Sequence, residues 1–117
     1  LWVATYFGMS RYDGNHWKGY FDHDSGLASN FINFIKANGD VAFICTDEGL
    51  SSFNGEEWIT YKKNGSGGQR VYYKDGQTST KADPTSIAHE FTIGVDIQGD
   101  DIWVATSYGL SHGTLIN

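Results

Sequence analysis

Few side chains in this sequence could do covalent chemistry, and they are scattered. Cys45 is the only cysteine, so an intrachain disulfide and zinc sites built on cysteine pairs are both excluded. A lone thiol becomes a nucleophile only with a base beside it. Asp22-His23-Asp24 sets two carboxylates around an imidazole but defines no third ligand, and it reads as a solvated loop rather than a metal centre. His16 and His112 fall at or near turns, and His89 closes an insertion; each reads as surface. Asp47-Glu48 is an acidic pair that could take a cation. The chain has no Gly-x-Ser-x-Gly elbow, phosphate loop or His-Glu-x-x-His helix. The expectation is a protein with no catalytic residue, no metal site and no cofactor.

Composition narrows the class further. Aromatic residues make up 15% and there are 15 glycines against one proline, which suits many short strands joined by tight turns and argues against disorder. A net charge of −6 repels phosphate, so nucleic acid is not expected as a partner. No apolar run approaches the roughly 18 residues of a membrane span. The chain opens on Leu1-Trp2-Val3-Ala4-Thr5, which reads as the middle of a strand, with no starting methionine and no signal peptide; upstream residues are expected to be missing.

What positions these residues is an internal repeat. Leu1 to Ser10 (LWVATYFGMS) recurs as Ala42 to Ser51 (AFICTDEGLS) and as Ile102 to Ser111 (IWVATSYGLS). Thr5 and Thr46 are 41 residues apart, and Thr46 and Thr106 are 60 apart. The match extends through Tyr12-Asp13-Gly14 and Phe53-Asn54-Gly55, Trp17 and Trp58, and Tyr20 and Tyr61. Phe31 to Ile35 matches Phe91 to Val95, and Asn38-Gly39-Asp40 matches Gln98-Gly99-Asp100. Four short strands per period of about 41 residues is the arithmetic of a propeller blade. The longer spacing adds about 19 residues to the same unit, between Lys62 and His89.

The expected strands, named A to D outward from the propeller axis, are 31–36 and 91–97 (A), 1–5, 41–46 and 101–106 (B), 9–13, 50–53 and 109–112 (C), and 16–20 and 57–61 (D). Turn residues mark the cuts, with Asp13-Gly14-Asn15 and Asn54-Gly55-Glu56 between C and D. The units run 1–30, 31–90 with an insertion over 62–89, and an incomplete 91–117. The fold class is therefore all-β, built of four-stranded antiparallel propeller blades. About two and a half blades are visible, fewer than the four to eight of a closed ring, so the chain is expected to be a segment of a larger propeller or to pack against other chains. Trp2, Phe43 and Trp103 share a place in strand B and would fill the space between sheets. Ala4, Cys45 and Ala105 are the small residues two positions on, which makes Cys45 a buried packing residue.

The run Trp2 to Thr5, Gly8-Met9, Tyr12-Asp13-Gly14, Trp17, Tyr20, Gly26-Leu27 and Asn30 resembles the two-component regulator propeller repeat. The resemblance covers most of the chain outside the insertion. It implies a many-bladed propeller of the kind found in the periplasmic or extracellular sensing part of bacterial signalling proteins and in secreted or cell-surface proteins. Nothing in the chain resembles a kinase, a receiver or a DNA-binding segment.

Strand alternation puts the B-to-C turns and the D-to-A connections on one end of the blades. The repeat varies most there, at Tyr6-Phe7, Asp47-Glu48 and Ser107-Tyr108, and variable loops on a rigid scaffold are where binding resides. The insertion is expected on the same end as a small hairpin turning at Asp75-Gly76, preceded by a flexible Asn64 to Gly68, with Arg70, Tyr72 and Tyr73 as contact anchors. Three readings follow. The first is a binding module that meets a protein partner through this end. The second is a sensor for a small ligand such as a glycan, whose rings stack on exposed aromatics. The third is a propeller enzyme, for which the A strands offer only Asn33, Lys36 and Asp96.

Overall fold

The computed structural model describes residues 1–115, an all-β chain of twelve strands with no helix among them. In order these are β1 (Trp2–Thr5), β2 (Gly8–Tyr12), β3 (Trp17–Tyr20), β4 (Ile32–Asn38), β5 (Val41–Thr46), β6 (Gly49–Phe53), β7 (Glu57–Asn64), β8 (Gly67–Lys74), β9 (Gln77–Asp83), β10 (Thr92–Gln98), β11 (Asp101–Thr106) and β12 (Gly109–Thr114). Every strand pairs antiparallel with its sequence neighbour inside one of three sheets: β1-β2-β3, β4 through β9, and β10-β11-β12. The ten strands read from the repeat are all present, two of them with the expected bounds and the others with ends displaced by at most three residues.

The sheets stack in sequence order, and the repeat explains how. In β5 five of six residues are buried, because both faces are covered. Ala42 and Ile44 point into a core shared with Met9 and Tyr20 of the first sheet, with Trp58 and Phe53 in the same cluster. Phe43 and Cys45 point the other way, into a core with Val95, Ile102 and Val104 of the third sheet. In β11 burial alternates strictly, so only one face is covered. Counterparts of buried residues therefore lie open at the two ends of the stack. Ile44 and Val104 are buried while Val3 is exposed, and Phe43 is buried while Trp103 is exposed. Each sheet uses the same two faces, and only the middle sheet has both filled.

The insertion differs from the expectation. It is not a separate hairpin at the turn-bearing end. β7 runs on to Asn64, and β8 and β9 continue the meander, widening the middle sheet from four strands to six. Lys74 pairs with Glu57, so the Asp75-Gly76 turn lies at the C-to-D end, opposite the variable turns. Asp75 (φ 51°) and Gly76 (φ 77°) carry the two positive φ values that a type I′ hairpin needs. Gly67 and Gly68 open a regular strand instead of a flexible stretch. A Cβ at Gly68 would run into the Thr85 carbonyl oxygen, so glycine there serves close packing rather than mobility.

Candidate binding surface

Each B-to-C turn is built by one threonine. The Thr46 hydroxyl donates to the Gly49 carbonyl at 2.8 Å and accepts from the Glu48 amide at 3.1 Å. Thr5 does the same with Gly8 (2.8 Å) and the Phe7 amide (2.9 Å). Thr106 repeats it with Gly109 (2.7 Å) and the Tyr108 amide (3.1 Å). The side chain closes the turn by mimicking backbone bonding, so the two residues between are free to be anything. Gly8, Gly49 and Gly109 follow at φ 102°, 131° and 122°, a backbone conformation that favours glycine in each turn, and at Gly49 a Cβ would also stand 2.8 Å from the Tyr61 carbonyl oxygen.

A second layer ties the turns into one surface. Backbone amides of Gly8, Asp47 and Ser107 donate to the carbonyls of Asn30, Phe31 and Phe91 at 2.9, 3.2 and 3.0 Å. The register of β4 on β5 slips between Ile32 and Phe34, and that of β10 on β11 slips at the matching place between Thr92 and Gly94. Such bulges re-aim side chains. Here Asn33 lies in the first slip, and its amide donates to Asp47 Oδ1 (2.8 Å) and to the Thr92 carbonyl (2.9 Å), bridging two sheets. The buried Thr92 hydroxyl accepts from the Thr46 amide at 2.8 Å.

Aromatic rings stand out from this frame. Tyr6, Phe7 and Tyr108 are 69%, 79% and 81% exposed, and Phe31 and Phe91 are exposed beside them. Tyr6 leans on Phe31 (ring centroids 6.4 Å apart) and Tyr108 on His89 (6.2 Å). In the sequence Phe31 and Phe91 read as strand starts and His89 as surface; their place at the mouth of the A strands, next to the variable turns, is the signal that marks them. Glu48 and Ser107 are exposed in the same row, and Asp47 is half-buried in its bond to Asn33.

The insertion residues do not join this row. Arg70 Nε lies 3.3 Å from Asp83 Oδ2 in a half-buried ion pair within the edge of the middle sheet. Tyr72 and Tyr73 are neighbours in β8 and so face opposite ways. Tyr73 packs on the Trp58 core, over Gly26, and its hydroxyl donates to the Asp24 carbonyl at 3.4 Å.

The remaining reactive groups are committed elsewhere. Cys45 is fully buried, and burial pushes its thiol up from 9.0 to about 12, which keeps it protonated and unreactive at neutral pH. Asp22 and Asp24 accept from the Asn30 amide (3.3 Å) and the Phe21 amide (3.0 Å), so both carboxylates hold a loop. Among the described residues no group of three histidine, cysteine or acidic side chains could hold a metal ion. Lys36 and Asp96 are exposed mid-strand. No helix among the described residues is long and apolar enough to cross a membrane. No protein-family model matches the chain, and neither does any curated protein.

Proposed function

We propose that this chain is a non-catalytic interaction module made of propeller blades, about two and a half of them, within a larger ring, and that it meets a protein partner through the aromatic rim of its B-to-C turns. The propeller reading is supported by the face-to-face stacking of three sequential meanders with equivalent residues at equivalent interfaces. It also rests on the resemblance to the two-component regulator propeller repeat, which further suggests a periplasmic or extracellular location.

The observation that carries the binding role is the contrast between a repeated frame and an unrepeated crest. The threonine clamps are identical in all three turns, while the crest residues are Tyr6-Phe7, Asp47-Glu48 and Ser107-Tyr108. Large rings held this far out of the core raise the free energy of the isolated protein and are favoured where a partner covers them. A macromolecular partner fits better than a small ligand. Small ligands want concave sites, and two cavities among the described residues, beside Tyr61 and beside Trp58, are not lined by rim residues.

The test is a Tyr6→Ala, Phe7→Ala, Tyr108→Ala variant. It should keep the melting temperature of the parent and lose the polypeptide that the parent captures from extracts of its source cells. Undiminished capture would refute the rim as the contact surface. A glycan that raises the melting temperature of the parent but not of the variant would replace the protein partner with a sensor role.

A further inference from the structure

Three asparagines in this chain are followed directly by glycine: Asn38, Asn54 and Asn64. Such a pair is chemically soft. No Cβ shields the glycine nitrogen, so it can attack the side-chain carbonyl carbon of the asparagine and expel ammonia. The residue types are the same in all three pairs, so a difference among them comes from the fold. Asn54 is clamped. Its Oδ1 accepts from the Glu56 and Glu57 amides at 2.9 and 2.8 Å, as an Asx turn does, and its own amide donates to the Glu57 carbonyl at 3.3 Å. Swinging the side chain toward the Gly55 nitrogen breaks both bonds to Oδ1. Asp13 makes the same clamp one repeat earlier, but a carboxylate has no ammonia to lose.

Asn38 and Asn64 are placed differently. Each is the last residue of a strand, β4 or β7, and each is exposed. Asn38 faces Val41 across Gly39-Asp40, and Asn64 faces Gly67 across Gly65-Ser66. Gly39 and Gly65 both have φ 62°, at the first central position of a two-residue hairpin, where the glycine nitrogen lies outside the ladder. Neither asparagine side chain has a hydrogen-bond partner among the described residues, and a Cβ built at either glycine would meet nothing within 4 Å. Attacking nitrogen, target carbon and incoming solvent are all unobstructed at these two turns.

We infer that Asn38 and Asn64 are sites of spontaneous deamidation, and that Asn54, with the same neighbour in sequence, is protected by the fold. The glycine nitrogen gives up its proton to solvent and bonds to the asparagine Cγ. The tetrahedral adduct expels the side-chain nitrogen as ammonia and closes a succinimide ring. Water opens that ring at either carbonyl and leaves aspartate or isoaspartate. The net change is one water taken up and one ammonia released, with nothing oxidised or reduced. β7 runs in the same direction as β5, so Asn64 lies at the end of the sheet that bears the Asp47-Glu48 turn, and its conversion adds a carboxylate there. Asn38 ends β4 at the opposite end. Isoaspartate also lengthens the main chain inside a turn whose two-residue length sets the strand register. The inference is independent of the role proposed for the aromatic rim.

The test holds the 117-residue protein folded at pH 8 beside a second sample unfolded in guanidinium chloride. Both are sampled over time, digested in acid and mapped by mass spectrometry. In the folded sample the peptides carrying Asn38 and Asn64 should gain the mass of an amide-to-acid conversion and become substrates for an isoaspartyl carboxyl methyltransferase. Asn54 should convert about tenfold more slowly or slower still, the scale set by two hydrogen bonds lost on the way to attack. In guanidinium chloride all three should convert at similar rates. Conversion of Asn54 at the rate of the other two in the folded protein would overturn the inference. So would an Asn38 or Asn64 that converts only when unfolded, or an Asn54 that stays protected in guanidinium chloride.

Discussion

Thr46 and Gly49 are joined by a hydrogen bond of 2.8 Å from a fully buried hydroxyl to a backbone carbonyl, and the same bond joins Thr5 to Gly8 and Thr106 to Gly109. Of the three, only the middle one lies between two covered sheet faces. Thr46→Val removes the hydroxyl and strands the Glu48 amide, and the Gly49 carbonyl keeps only the longer bond from the Thr92 hydroxyl at 3.1 Å. A loss of about 1–3 kcal/mol is expected in urea unfolding. Thr5→Val, at an exposed position, should cost less than half as much.

The turn glycines should rank in the same way. Gly49→Ala places a methyl group against the Tyr61 carbonyl oxygen at φ 131°, while Gly109→Ala at φ 122° meets nothing closer than 3.5 Å. Both incur left-handed strain of about 1–2 kcal/mol. Only Gly49→Ala adds a steric clash, so its thermal midpoint should fall further. Equal shifts would show that β7 yields more readily than the geometry suggests.

Trp58 and Trp17 occupy one place in the repeat but are 3% and 59% exposed. Trp58→Ala should cost about 3–5 kcal/mol in stability, the range for emptying a large core site. Trp17→Ala, which loses mainly a stacking contact with Tyr12 at 4.7 Å, should stay within about 1 kcal/mol. Chemical denaturation of the two variants checks this directly.

Much of the fold was legible because the repeat is written in residues that can do only one thing. The Asp-Gly and Asn-Gly pairs fix the C-to-D turns, where Asp13 Oδ1 accepts from Asn15 and His16 and Asn54 Oδ1 from Glu56 and Glu57. The place of the insertion was not legible. Arg70 to Thr78 reads as a hairpin from its turn, but which edge a hairpin joins depends on backbone groups that every sequence shares. Gly67 and Gly68 look flexible by composition and are packed by circumstance, since the Thr85-Ser86 backbone lies against them. The variable turn residues could be found by comparing repeats. Tyr73 could not be excluded in this way, because the cleft that covers it is opened by Gly26 in a distant connection.

Cys45 offers a pH test. Burial holds its folded pKa at about 12 against an ordinary 9.0, so the folded state keeps a proton that the unfolded chain releases. Its contribution is constant below pH 9 and is lost as pH rises from 9.0 toward 12. Burial also raises Tyr61, which acts in the same direction above its ordinary 10.0. Stability should therefore fall across this window, and Cys45→Ala, the residue present at the two matching positions, should make the fall shallower. A thiol reagent at pH 8 should label the unfolded chain quickly and the folded chain hardly at all.

Site-specific photocrosslinking tests most directly whether the clamped turns carry the proposed partner-binding surface. A benzophenone side chain is placed at Phe7 or Tyr108 on the rim, or at Gln77 beside the Asp75-Gly76 turn at the opposite end. Illumination in extracts of the source cells should join one discrete polypeptide to the chain from both rim positions and none from Gln77. Crosslinking from Gln77 alone, or equally from all three positions, would contradict the account.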